Sequence, residues 1–485
     1  MGGLRKSRLV ATTILSAMAV ILPAGAQDFG DDDLINETEE ERPDGRYATL
    51  TYGVGFETDD NLGLNRTSVG STTSFSNDYE LEFGFSTPAS SIDFRFAGEF
   101  LSEDSPTLGD RLFLNDPTAS VDYLKESARS TLALSANVDR SDLDRLQRIG
   151  VDTDGDGEDD TIEIIEGSVV GGSVTDTALR ARYTFGIDTP IRYSISFSLL
   201  DRAFSSSTNT LDGTVVDAGI DTRSYNLFMS ARARLSPVTF GTLSYVRSEL
   251  DEQANDNAEV NTQRLTFDLE HTYANIWTFN AGVGLVDIEE TSDSGLDDED
   301  EEGIDLELRA TRELSWGSAF ASAEREVRVS GDRTTFLVGA EYELRDGALS
   351  ATFGTTDSDF GGQSFLASLD YQKQLKTSQF VASLDRSIQA TVDADQSDEL
   401  ITSLSLSYLY QINTAQRLFL GLSYTDISTS GLDENEAEFQ ARFSQQLTRD
   451  WDLNVGYRRV ETDNGFVDAS SNVLFLNVTR ELSLF

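Results

Sequence analysis

From Asn261 to Phe485 the sequence repeats one figure: a run of about a dozen residues in which every second one is apolar, a short break, another such run, then a polar, acidic break. Successive side chains of a strand point to opposite faces, so each run sets one face against an apolar medium and the other against a polar one. Ser403 to Ile412 shows this most cleanly. There Leu404, Leu406, Tyr408, Tyr410 and Ile412 alternate with Ser403, Ser405, Ser407, Leu409 and Gln411. Strands that are oily on one face only, repeated over most of a chain, are the pattern of an all-β, transmembrane antiparallel up-and-down β-barrel.

The N-terminus fits export. Met1 to Ala26 has a basic start (Arg5, Lys6, Arg8), an apolar stretch from Leu9 to Leu22 and small residues Ala24 and Ala26, which predicts a signal peptide over 1–26 cleaved before Gln27. That apolar stretch is too short for a membrane helix, and no later segment approaches the roughly 18 consecutive apolar residues that one needs. Gln27 to Gly45 carries nine carboxylates and no periodicity, and is expected to be a disordered acidic periplasmic leader before a barrel over 46–485. Loss of the three basic residues takes the formal charge from −48 to −51, which makes nucleic acid an implausible partner. A hydrophobic content of 38% is thin for one soluble core but suits a barrel that needs only an outer apolar band about 25 Å tall.

The alternation predicts 22 strands, at about 46–57, 77–86, 91–102, 117–125, 130–141, 174–186, 191–204, 221–234, 238–250, 261–273, 277–289, 303–314, 317–329, 333–345, 348–358, 363–374, 378–391, 399–411, 416–429, 435–447, 451–462 and 472–485. Single-chain bacterial barrels have even strand numbers, short periplasmic turns and longer outer loops. Here the short breaks, such as Thr87 to Ser90, Ser236-Pro237, Asp346-Gly347 and Asn413 to Ala415, fall at every second connection. The alternate connections (Thr58 to Ser76, Asp142 to Ser173, Ser205 to Ile220, Glu290 to Glu302) are longer and rich in Gly, Ser, Asp and Glu. Both termini are then expected in the periplasm of an integral outer-membrane protein, with membrane lipid, lipopolysaccharide and the barrel-assembly machinery as partners. Trp277, Trp316 and Trp451 all fall at the short-break boundary, as an interfacial aromatic girdle requires, and a soluble β-solenoid has no reason to align them there. The last strand departs from the ideal. Leu474, Leu476, Val478, Leu482 and Leu484 share one frame while Phe485 falls in the other, which predicts a bulge near the terminus and puts Arg480 on the lipid face close to the interface.

Twenty-two tilted strands about 4.8 Å apart enclose a backbone diameter of roughly 40 Å, too wide for side chains to fill. A 19-residue leader is far too short to be a folded plug, so the lumen is expected to hold water, with any constriction supplied by loop 142–173 or by shorter loops folding inward. In the polar frame the expected lining residues are Arg180, Arg182, Arg192, Arg202, Arg232 and Arg234 on strands six to eight, and Asp268, Glu270, Asp305, Glu307, Glu341, Glu343, Asp370 and Asp385 on strands ten to seventeen. Two readings stand: facing arcs of opposite sign that set ion selectivity through a transverse field, or charges that merely solvate the inner wall and pair locally.

One loop motif is specific. Asp152, Asp154, Asp156, Glu158, Asp160 and Glu163 fall in D-x-D-x-D-G-x5-E, with oxygen ligands at a spacing calcium uses and Gly157 at the tight turn. No flanking helices accompany it, and Asp159 stands where an apolar anchor belongs, so the alternatives are a lone Ca²⁺ loop or a solvated acidic loop. The run Asp297 to Glu302 reads as a solvated tip. Catalysis has little material: His271, the one histidine, lies in the lipid-facing frame, there is no cysteine, and no two carboxylates are paired distinctively, so the chain is not expected to be an enzyme.

Tyr52-Gly-Val-Gly-Phe-Glu-Thr-Asp-Asp-Asn-Leu62, followed by serial hairpins to a terminal Phe, resembles the β-barrel porin families of Gram-negative bacteria, including outer-membrane barrels that accompany exopolysaccharide secretion. That resemblance implies a channel or export role and transfers no functional residue. The expected function is therefore an outer-membrane channel for polar solutes, or a conduit for polysaccharide export. The alternative is a structural or adhesive barrel with Ca²⁺-binding acidic loops and a loop-closed lumen.

Overall fold

The computed structural model describes residues 45–62, 68, 70–106, 109–142, 148–151, 161–164, 169–170, 173–205, 207–209, 215–216, 221–253, 258–292, 299–328, 331–359, 362–389, 399–428, 433–463 and 468–484. Twenty-two strands form one antiparallel sheet. They are β1 Gly45–Asp59, β2 Thr72–Thr87, β3 Ser90–Ser105, β4 Gly109–Ser127, β5 Ser130–Asp142, β6 Ser173–Phe185, β7 Ile191–Phe204, β8 Asp221–Ser236, β9 Thr239–Gln253, β10 Ala258–Tyr273, β11 Trp277–Ser292, β12 Glu299–Leu314, β13 Gly317–Arg328, β14 Gly331–Leu344, β15 Gly347–Ser358, β16 Gly362–Gln374, β17 Ser378–Gln389, β18 Glu399–Asn413, β19 Gln416–Ser428, β20 Asp433–Gln446, β21 Trp451–Asp463 and β22 Asp468–Ser483. Each pairs with the next, and β22 pairs back with β1 from Asp59↔Val473 to Thr49↔Ser483. The sheet is thus a closed barrel, the one all-β solution that leaves no strand edge unpaired in lipid.

Every expected strand is present in the expected order, but many reach further toward the long-loop end. β2 starts at Thr72, β4 at Gly109 and β12 at Glu299, so part of the acidic run Asp297 to Glu302 is ladder and not tip. The physical reason is length. The strands run from 12 to 19 residues, whereas about 9–11 suffice to cross the hydrocarbon. Beyond the apolar band the ladder continues where lipid no longer imposes an apolar outer face and a polar inner one, so strict alternation no longer marks it. β4 also hides a bulge: the register against β3 shifts between Ala97 and Glu99, opposite Asp116, whose φ is 44°. Pro117 follows it, and the strand resumes on both sides of the irregularity.

Short turns close one end of the barrel with local polar chemistry. The Thr87 Oγ1 accepts from the Ser90 amide at 3.0 Å, and the Ser127 Oγ accepts from the Ser130 amide at 3.0 Å. Ala274 and Asn275 carry φ of 54° and 56°, the paired left-handed conformation that matches a tight hairpin to strand twist. Trp277 and Trp451 open the strands that follow such turns and Trp316 precedes Gly317, so all three lie at this end. At the other end two small sheets tie loop segments: Arg148–Val151 pairs with Thr161–Ile164, and Ser207–Asn209 pairs with both Val169–Val170 and Val215–Val216.

The outer face is aliphatic and aromatic. Leu179 and Tyr183 on β6, Ile195 and Phe197 on β7, Leu306 and Leu308 on β12 and Phe336 and Val338 on β14 are all exposed large apolar side chains. The residues between them in sequence form the inner face. Several inner-face aliphatics toward the long-loop end are buried, among them Leu101, Val286, Ile288, Ile401, Ile427 and Val473.

The terminal strand corrects one expectation. β22 runs in unbroken register against β21 from Asp463↔Asp468 to Trp451↔Arg480, and against β1 to Ser483, and the Leu484 amide donates to Ala48 at 2.8 Å. No bulge interrupts it among the described residues, which end at Leu484. Arg480 does lie in the apolar frame, with its guanidinium 5.4 Å from the Trp451 ring centroid. The aromatic at the interface gives the cation a partner, so no register shift is needed to remove it from lipid.

Candidate functional site on the inner wall

Parity along each strand decides which side chains reach the lumen. On β6, Leu179 and Tyr183 face out, which turns Arg180 and Arg182 in; on β7, Ile191, Tyr193 and Ile195 face out, which turns Arg192 inward with Ser194 and Ser196. Arg202 shares that inner frame. The exposed Met229 and Leu235 on β8 do the same for Arg232 and Arg234. Asp268 and Glu270 on β10, Asp305 and Glu307 on β12, Glu341 and Glu343 on β14, Asp370 on β16 and Asp385 on β17 likewise alternate with outward apolar residues. All fourteen expected residues thus stand on the polar face.

Their arrangement differs from two facing arcs. In a ring of 22 strands, those opposite β6–β8 are β17–β19. The acidic stretch instead begins on β10, beside the basic one, and the two touch: Arg232 Nη2 lies 3.0 Å from Glu270 Oε2. That contact passes over Thr242 of β9, which is the cross-strand partner of both Arg232 and Asp268. Arg202 is paired as well, in a fork with Asp176 on β6, Nε to Oδ1 at 2.7 Å and Nη2 to Oδ2 at 3.2 Å. Arg232 and Arg234 both lie over the Phe240 ring, at 4.9 and 5.4 Å. The basic arc is therefore partly neutralised by its own wall.

Asp305 joins a tighter group that the sequence reading missed. Arg264 Nε is 2.8 Å from Asp305 Oδ2, and its Nη2 is 3.4 Å from Glu326 Oε1. Glu326 Oε2 also meets Arg328 at 2.9 Å and Arg333 at 3.2 Å, and the Val327 amide donates to Asp305 Oδ1 at 2.8 Å. The end of β13 is thereby drawn onto the inner wall. In sequence, Glu324-Arg-Glu-Val-Arg328 puts charges in both frames, which masked the parity signal. Arg417, Arg442 and Arg458 were also missed. They stand one per strand on β19, β20 and β21, between outward Leu418, Phe443 and Tyr457, and form no run that a charge count would pick out.

His271 sits in the apolar frame, and its Nδ1 is 3.0 Å from Thr239 Oγ1. The expected calcium ligands Asp152, Asp154, Asp156, Glu158 and Asp160 lie outside the described residues; Glu163 falls in the short strand Thr161–Ile164, and its side chain is outside them too. Residues 1–44, with the expected signal peptide and all but the last residue of the expected leader, also lie outside, and Gly45 already belongs to β1. Among the described residues no group of three or more His, Cys, Asp or Glu side chains is placed to hold a metal ion.

No family model matches the chain, and no curated protein matches it in sequence. Solved structures do match in fold. The FrpB iron transporter of Neisseria meningitidis is similar with a TM-score of 0.62 at 8% identity, over 91% of this chain and 83% of that one. The ferric-catecholate import receptor Fiu of Escherichia coli gives 0.60 at 10%, over 91% and 82%. BauA, the ferric preacinetobactin receptor of Acinetobacter baumannii, gives 0.57 at 10%, over 91% and 80%. At such identities the likeness is one of fold: a closed 22-stranded antiparallel β-barrel of the kind those outer-membrane proteins have. It lends nothing to the narrower porin or exopolysaccharide families that Tyr52 to Leu62 resembles.

Proposed function

We propose that the barrel forms a water-filled passage across the outer membrane for polar solutes, lined by the charges of its inner face. Width carries the reading: a ring of roughly 40 Å cannot be filled by its own side chains, and its wall presents arginines and carboxylates where a packed core would present aliphatics. Neighbours whose names are iron transporter and import receptor support transport as the general role, while their cargo remains theirs. A single histidine in the apolar frame gives no support to an enzymatic role.

The buried inner-face aliphatics Leu101, Val286, Ile288, Ile401, Ile427 and Val473 favour a second reading, a lumen closed at the long-loop end. Planar-bilayer recording of the purified protein separates the two. Discrete conductance steps support the passage, and silence at high protein load supports the closed barrel. In a conducting barrel, replacing Arg232 and Arg234 by Glu should move the reversal potential toward cations; an unchanged value sinks a selective role for that arc. Calcium binding by Asp152 to Glu163 is a separate proposal, tested by Ca²⁺-dependent protection of that loop from protease in the intact protein.

A further inference from the structure

We infer that Arg417, Arg442 and Arg458 form an anion-binding track on the wall of the passage, one that engages multiply charged oxyanions such as phosphorylated solutes. The inference rests on the passage reading and names the class of solute the passage would favour. Register brings the three together. Arg442 of β20 is directly opposite Phe419 of β19, and Gln440 is opposite Arg458 of β21. Arg417 and Arg458 are therefore the diagonal neighbours of Arg442 on its two sides, on one face, at a spacing of about 7–8 Å between backbones.

What sets this trio apart is that the arginines without a carboxylate contact are neighbours on three successive strands. Elsewhere on the inner wall Arg202, Arg232 and Arg264 each hold a carboxylate within 3.0 Å. None of Arg417, Arg442 and Arg458 makes an ion pair within 4 Å among the described residues. Asp452 interacts electrostatically with Arg417, and Glu438 with Arg458, without a contact ion pair. Arg442 packs its guanidinium 5.2 Å from the Phe419 ring centroid, and its Nε is buried with no hydrogen-bond partner.

In a chain with 85 acidic and 37 basic residues, three adjacent cations repel one another, and without a contact ion pair among the described residues that repulsion is only partly offset. A mobile oxyanion supplies the remaining compensation. Guanidinium groups present rigid forks of N–H donors that match carboxylate and phosphate oxygens, and they are more weakly hydrated than ammonium groups. A group of two or more negative charges can bridge neighbouring forks along the diagonal, whereas chloride can use only one. The ladder begins one residue from the Asn413–Gln416 turn, at Arg417, so it opens at the short-turn mouth.

The test uses the full-length barrel and the triple variant Arg417→Gln/Arg442→Gln/Arg458→Gln, each shown to be folded by heat-modifiable gel mobility. In planar bilayers with a KCl gradient, inorganic pyrophosphate should reduce the conductance of the natural protein. In the triple variant that block should weaken at least about tenfold, because charge-assisted hydrogen bonds are lost at three sites, and the reversal potential should move toward cations. Lysine at the three positions should restore the reversal potential but only part of the block. An equal block in natural and triple-Gln protein overturns the track. Where the natural barrel does not conduct, the passage reading falls, and calorimetric titration of pyrophosphate in detergent still decides the track: binding lost in the triple variant supports it, and identical heats overturn it.

Discussion

Asn477 of the last strand donates through Nδ2 to Asp78 Oδ2 of the second strand at 3.0 Å, reaching across the first strand that lies between them. The space for that reach comes from Gly53 and Gly55. On β1, Gly53 pairs with Asp78 on one side and Thr479 on the other, and Gly55 pairs with Ser76 and Asn477. A Cβ at Gly53 would stand 2.7 Å from Asp78 Oδ2 and 3.2 Å from Thr479 Cγ2. Gly53→Val should therefore overpack the seam and destabilise the barrel by about 1–3 kcal/mol. Asn477→Ala, which loses only the bond, should cost about 1 kcal/mol. The measurement is the temperature at which the compact band on a gel converts to the unfolded one. A Gly53→Val barrel that converts with the natural protein contradicts the close packing described.

The long-loop end of the same seam is held by Asp59-Asp60-Asn61. Asn472 donates from its amide to Asp60 Oδ1 at 2.7 Å and from Nδ2 to Oδ2 at 2.8 Å. Asn61 Nδ2 donates to the Ser470 carbonyl at 3.0 Å, and its amide to Asp59 Oδ1 at 2.7 Å. Asp60→Ala should fray β1 from β22 at the long-loop end while the ladder nearer the turns holds. Hydrogen exchange at Asn472 and its neighbours should accelerate by at least about tenfold, matching a local loss of roughly 1–2 kcal/mol. Asp60→Asn keeps its acceptor oxygen and should recover part of the protection. Uniform acceleration around the whole ring would show that the clasp is not local.

Glu326 is the hub of the network on β10, β12, β13 and β14, with Arg264, Arg328 and Arg333 on its two oxygens and only 13% of its side chain exposed. Its removal leaves three guanidinium groups close together without their shared counter-charge. Glu326→Ala should accordingly destabilise the barrel by about 3–5 kcal/mol, the range for breaking a buried ion pair on one side. The double variant Glu326→Leu/Arg333→Leu should recover much of this, since removing both partners leaves fewer uncompensated charges. Thermal unfolding of the two variants side by side checks the difference; a double variant as unstable as Glu326→Ala excludes the charge argument.

Strand number and order were legible in the sequence because they depend only on the apolar band, where lipid imposes alternation on every strand. What lay outside the band was not. Thr72 to Ser76 and Gly109 to Asp116 are ladder in the structure, yet their few apolar residues stand among Gly, Ser, Thr and Asp and make too short an alternation to be told from loop. Parity assigns a face to each of the fourteen charged residues, since face needs only the neighbours in sequence. Partners need the register of other strands: Arg232 finds Glu270 across an intervening strand, and Asp60 finds Asn472 only because the ring closes. The trio on β19–β21 shows the same limit. Its inward frame is written in Leu418, Phe443 and Tyr457, but the absence of ion pairs around it among the described residues is a property of the assembled wall.

Arg480 and Leu476 test how depth governs the lipid face. Both lie in the outward frame of β22: Leu476 pairs with Phe56 and Val455, and Arg480, four residues nearer the short-turn end, pairs with Tyr52 and Trp451. Leu476 is 43% exposed on an apolar surface, while the Arg480 guanidinium lies over the Trp451 ring at the interface. A charge near the bilayer midplane costs about 2–4 kcal/mol and one near the interface about 0–1. Leu476→Arg should therefore lower folding stability in lipid by roughly 2–4 kcal/mol, whereas Arg480→Leu should change it by less than about 1 kcal/mol in either direction. Urea titrations of refolding into vesicles, followed by tryptophan fluorescence, measure both. Equal effects from the two substitutions would place Arg480 as deep in the hydrocarbon as Leu476, and the girdle formed by Trp277, Trp316 and Trp451 could not then mark the interface.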